Sequence, residues 1–213
     1  MDKFTDALAM IQLEKTKAAL IKNQIDARIL TNRKAVVEEI HRMIEDGATV
    51  SVGGSQTLFE CGLIDELRNM NVQYDDRYKE GLSREEQQEV YRRAFQCDYY
   101  LASSNAVTME GELYNVDGNS NRVAAISYGP KHVILVVGRN KIVRNMEEAA
   151  QRVEQIAAPA NCLRLNKNNA CTYAGHCIDC HSETRICCTY VKHGYQLNKN
   201  RIIVLLVNED LGY

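Results

Sequence analysis

Four stretches of the chain hold residue types that do chemistry when a fold gathers them at a cleft. The first is Gly53-Gly54-Ser55-Gln56-Thr57, directly after a strand-like run over 48–52. Glycines let a backbone approach an anion closely, and N–H groups opening a following helix can receive it. The Ser55 and Thr57 hydroxyls would add donors. The same residues also suit a tight turn in which Ser55 only caps the helix. The spacing is neither the Gly-Lys-Ser/Thr of a Walker loop nor a dinucleotide-binding Gly-x-Gly-x-x-Gly.

The second stretch starts at Asn105, passes Thr108 and Gly111, and ends in Asn115-Val116-Asp117-Gly118-Asn119-Ser120-Asn121-Arg122. Asn, Asp and Gly are turn formers, so a hairpin or loop accounts for much of it. The density of polar residues before Arg122 exceeds what a turn requires. Arg122 carries the planar fork for a carboxylate or phosphate, and Asp117 can orient it or act as an acid–base. Asn105, Thr108, Gly118, Asn119 and Asn121 would complete the same pocket, with a helix beginning near Asn119. The third stretch, Gly138-Arg139-Asn140-Lys141, follows the apolar run 133–137, where open α/β sheets place ligands. Lys141 there either supplies positive charge or is a solvated loop lysine.

The fourth is Cys171-x5-Cys177-x2-Cys180-x6-Cys187, with Cys188 next. Clustered thiolates centred on a Cys-x-x-Cys pair suit tetrahedral zinc or an iron–sulfur cluster. Cys188, His176 or His181 are substitutes for one ligand. The alternative is a reduced, metal-free loop or a redox pair. Cys61, Cys97 and Cys162 fall in helix or strand patterns and read as buried thiols.

The elements that must position these groups follow from hydrophobic periodicity. A helix is expected over 4–22, with an apolar stripe of Phe4, Ala7, Leu8 and Ile11 that resumes at Ala18 and Ile21. A strand over 25–30 leads to a second helix with Val36, Val37, Ile40, Met43 and Ile44 on one face and Gly47 as its C-cap. Ser83 and Glu86 have the form of a capping box opening a helix to about Gln96. Strands are expected over 99–102, 133–137 and 201–207. A helix opened by Asn145 carries Met146, Ala149, Ala150, Val153, Ile156 and Ala157, and Pro159 ends or kinks it. Helices alternating with short, continuously apolar strands imply an α/β domain whose mostly parallel sheet is covered on both faces. One domain over 1–213 is the simplest organisation, with 166–200 as an appended cysteine-rich lobe.

Composition removes several function classes. Apolar residues make up 45% of the 213 and charged residues 25%, and the formal charge is −2, so no basic field advertises nucleic acid. Without tryptophan, and with only three phenylalanines, a stacking platform for single strands is also not expected. The longest apolar runs are strand-length and too short for a membrane span. The N-terminus lacks the layout of an export signal, so a cytoplasmic location with reduced thiols is expected.

Together, the segments 53–57, 105–108, 115–125 and 138–143 resemble the signature segments of the lactate-utilization (LUD) domain family. The cysteine segment and the ending Glu209-Asp210-Leu211-Gly212 are similar to its small, stand-alone branch. That resemblance, over nearly the whole chain, implies a three-layer α/β/α fold like the ribose-5-phosphate isomerase and CoA-transferase-like superfamily. It implies a phosphate- or CoA-cradling role for Gly53 to Thr57, and work alongside iron–sulfur partner subunits in oxidising lactate. The Ser-Glu-Asn-Gly-like setting of a CoA-transferase nucleophile is absent, and Glu60 and Glu110 match no motif.

Three functions follow as expectations. The first is an organic-acid utilization component that binds a small carboxylate or a phosphorylated or CoA-type ligand. The second is a non-catalytic redox or assembly subunit carrying a cluster. The third is an isomerase or transferase for an unrelated anionic metabolite. A homo-oligomer is compatible with each.

Overall fold

The structure is a computed structural model describing residues 2–213. In chain order its strands are β1 (Asp26–Leu30), β2 (Thr49–Val52), β3 (Gln73–Asp75), β4 (Tyr99–Ala102), β5 (Ala106–Thr108), β6 (Leu113–Asp117), β7 (His132–Gly138), β8 (Ile142–Val143), β9 (Thr189–His193) and β10 (Ile202–Val207). The large sheet runs β1-β10-β7-β4-β2-β3, and every pairing in it is parallel. Continuous apolar strands need cover on both faces, and the pleat divides them accordingly. Tyr100, Val133, Leu135 and Val204 pack with Leu13 and Leu20 of the first helix. Leu101, Ile134, Val136 and Leu205 pack with Val36, Ile40, Leu58 and Leu63 on the other side. Each such side chain contributes about 1.5–3 kcal/mol through burial. The result is a three-layer α/β/α arrangement.

The first helix, Lys3–Lys22, forms where periodicity expects it but is rotated. Leu13, Thr16 and Leu20 face the sheet, whereas Phe4 is 73% exposed and Leu8 and Ile11 are each 55% exposed. Two apolar stripes compete on this helix, and periodicity alone does not say which one the sheet selects. The second helix, Arg33–Met43, caps at Ile44, so Gly47 serves instead in the turn before β2, donating its N–H to Asn71. The capping box of Ser83 and Glu86 is present, and its helix spans Arg84–Arg93. Pro159 does not end the helix after Asn145. A π turn, Val153–Ala157, follows Met146–Arg152, and a further helix, Ala158–Arg164, takes Pro159 into its first turn. A missing N–H costs nothing at that position.

A second, four-stranded sheet, β8-β5-β6-β9, lies beside the first and was not expected from the sequence. Its β5–β6 hairpin absorbs much of the polar stretch. The hairpin turns at Gly111, with φ +82°, where an added Cβ would sit 2.4 Å from the Ala19 carbonyl carbon. Only glycine meets both demands. β9 pairs antiparallel with β6, so residues 189–193 of the expected 166–200 lobe belong to this sheet.

Strand order sets the rim that matters. From β2 the chain moves outward to β3, whereas β4 lies on the other side of β2 and borders β7. Loops leaving β2 and β4 therefore diverge, and a crevice opens at their carboxyl ends. Among the described residues, no helix is long and apolar enough to cross a membrane.

Candidate functional site

A cavity of about 740 Å³ occupies that crevice. Gly54, Ser55 and Gln56 after β2, Ser103 to Asn105 after β4, and Asp117 to Arg122 after β6 form its floor and one wall, with Lys141 reaching in after β7. Arg77, Arg84, Tyr91, Arg164, Lys167 and Arg185 form its sides.

 The lining carries seven cationic side chains, Arg122 and Lys141 included, against two carboxylates, Asp117 and Glu183. In a chain of net charge −2, this is a marked local concentration of positive charge.

The sequence-expected residues divide into those that build the cavity and those that face into it. Arg122 is 8% exposed, and both terminal nitrogens of its guanidinium are engaged internally, while Nε lies 3.8 Å from Asp117 Oδ2. Nη1 donates to the Ser103 carbonyl at 3.0 Å and to Asn115 Oδ1 at 2.6 Å. Nη2 donates to Asn105 Oδ1 at 3.0 Å and to the Val116 carbonyl at 2.8 Å. Arg122 thus ties the ends of β4 and β6 together, and its fork is not open to an incoming carboxylate. Asp117 Oδ2 accepts the backbone N–H groups of Arg122 at 3.0 Å and Val123 at 3.2 Å, fixing the start of the helix Asn121–Ser127. Ser120 precedes that helix at φ +63°, with its hydroxyl bonded to Thr189 of β9. Gly118, Asn119 and Asn121 line the cavity beside it.

Gly53 is a packing glycine. A Cβ there would lie 2.9 Å from both Arg122 Cγ and the Tyr100 hydroxyl. Gly54 faces the cavity, where its Cβ would meet Arg77 Nη1 at 3.7 Å. Ser55 caps the short helix Gln56–Glu60, accepting the Leu58 N–H at 3.4 Å. Thr108 stands apart, because its hydroxyl accepts the Glu112 N–H inside the hairpin turn.

Lys141 is 2% exposed. Its Nζ donates to Thr57 Oγ1 at 2.8 Å and Ser103 Oγ at 3.0 Å. Burial, reinforced by the nearby Arg152 and Arg122 guanidiniums, pushes the amine down to about 7. Asn140 beside it holds the 211–212 segment across the rim, accepting the Leu211 N–H and donating to the Gly212 carbonyl.

Arg77, Arg84, Arg164, Lys167 and Arg185 were not expected from the sequence. They come from separate helices and loops, each reading as an ordinary solvated base. Arg77 Nη2 donates to the Tyr91 hydroxyl at 2.8 Å, its guanidinium lies 4.6 Å from that ring's centre, and its buried Nε has no partner.

Of the expected metal ligands, Cys171 is buried, while Cys177, Cys180 and Cys187 are half-buried. Cys177 and Cys187 line a smaller cavity of about 280 Å³, and Cys171 neighbours Cys162. Among the described residues, no three His, Cys, Asp or Glu side chains gather into a group that could hold a metal.

Fold and cavity together define an α/β protein with a cationic pocket at its strand ends. The LUD domain family model matches residues 13–207, and the chain belongs to that family, which supports a broad role in lactate utilization. A crystal structure of a DUF162 family protein from Deinococcus radiodurans is similar in fold. It aligns with a TM-score of 0.53 and 15% identity, covering 93% of this chain and 97% of that one. No curated protein matches the sequence.

Proposed function

We propose that the protein serves organic-acid utilization by binding an anionic metabolite, a small carboxylate or a phosphorylated or CoA-type ligand, in the strand-end cavity. The observation carrying this reading is the excess of cations in the lining, of which Arg77, Arg84 and Arg164 lie at the sides and Arg122 is already engaged. A volume of about 740 Å³ accommodates ligands from pyruvate to nucleotide size. Asn119, Asn121 and the Gly54 backbone supply neutral donors. Calorimetric titration with lactate, pyruvate, CoA and sugar phosphates tests it. Binding by at least one of these is expected, and silence from all of them would refute the reading.

The cysteine segment carries a separate proposal. As placed, Cys171, Cys177, Cys180 and Cys187 do not form a ligand set, so zinc or an iron–sulfur cluster would require the segment to rearrange. Anaerobic purification with iron, sulfide and zinc analysis decides it. One equivalent of zinc would indicate a structural clasp, acid-labile sulfide an electron-transfer role with iron–sulfur partners, and neither would remove the site.

A further inference from the structure

We propose that Lys141 is a nucleophilic amine that condenses with the carbonyl carbon of a 2-oxo acid held in the strand-end cavity. This rests on the anion-binding reading above and assigns that site a substrate class.

The argument begins with hydrogen-bond accounting. The Thr57 hydroxyl donates its own hydrogen to the Leu211 carbonyl at 3.3 Å, and the Ser103 hydroxyl donates to the Ser104 carbonyl at 3.3 Å. Both oxygens are therefore left to accept from Lys141 Nζ. A neutral amine has two N–H donors and one lone pair. Both donors are placed, and the lone pair is what remains on a group that lines the cavity. An ammonium ion would have a third N–H to satisfy and a charge to stabilise. Of the charged groups around it, Arg122 and Arg152 oppose that charge, while Glu60 and Cys61 favour it more weakly. Glu60 is held elsewhere, accepting the Gly212 N–H at 2.8 Å.

The step balances without an oxidant or reductant. The Nζ lone pair adds to the carbonyl carbon, the C–O bond then breaks, and both N–H hydrogens leave with the oxygen as water. Each of those hydrogens already points at a hydroxyl oxygen able to relay it. A carboxylate next to the carbonyl supplies the negative charge that this cationic floor lacks, which selects a 2-oxo acid over a simple aldehyde.

The test is borohydride trapping of the full-length protein with pyruvate, read by intact mass and peptide mapping. One reduced pyruvyl adduct on Lys141 is expected. At pH 7.5 its labelling should exceed that of surface lysines by about a hundredfold or more, since those are almost wholly protonated there. Labelling should fall as the pH drops through about 7, because the protonated amine has no lone pair. Lys141→Met should lose the adduct, and mapping of the wild type stands if that variant fails to fold. Pyruvate, 2-oxobutyrate and glyoxylate all leaving Lys141 no more labelled than surface lysines would overturn the proposal. If calorimetry still registers pyruvate, the anion-binding reading survives that failure; if nothing binds, both fall.

Discussion

The floor and the sides of the cavity are both cationic, yet their charges are committed differently. On the floor, Arg122 has four hydrogen bonds to the ends of β4 and β6, and Lys141 has two to buried hydroxyls. At the sides, Arg84 and Arg164 are exposed, whereas Arg185 is engaged by the Cys180 and Cys187 carbonyls, the Tyr190 hydroxyl and Asp179, and the unpartnered Nε of Arg77 is itself buried. A buried guanidinium must be satisfied by the protein itself, so it builds the site. An exposed one retains donors for a ligand. Charge alone does not identify a binding residue; unused hydrogen-bonding capacity does.

Exchanging side chains in the two regions should sharpen this contrast. Arg122→Ala should cost about 3–5 kcal/mol of stability in urea denaturation, because it removes three buried hydrogen bonds and a fourth, part-buried one to Asn105. Arg164→Ala should stay within about 0.5 kcal/mol in the same assay. Equal losses from both would break the distinction. The first helix offers the same contrast between faces. Leu13→Ala, at a fully buried position, should cost about 3 kcal/mol, and Leu8→Ala, at 55% exposure, about 0.5 kcal/mol or less. A smaller effect is expected in binding: Arg77→Ala should weaken an anionic ligand about tenfold, the equivalent of about 1.4 kcal/mol, with stability nearly unchanged.

Much of the frame was legible in the sequence. The apolar strands, the capping box at Ser83 and the loops at 53–57 and 115–122 follow local rules, and local rules suffice to find them. The rotation of the first helix was not legible, because two stripes satisfied the same period. The second sheet was hidden because β5 and β8 are only three and two residues long. The structural role of Arg122 was not legible for a related reason. Its type fits a ligand as well as it fits Asn105 and Asn115, and only tertiary packing shows which one it meets. The arginines at the sides of the cavity had no local signature at all.

The most direct measurement of the central claim is the affinity of a bound anionic ligand, such as pyruvate or CoA, for the wild type and Arg77→Ala across a range of salt concentrations. Binding that weakens with salt, and weakens further in the variant while the fold holds, is the predicted result. Binding indifferent to both salt and the loss of Arg77 would contradict it.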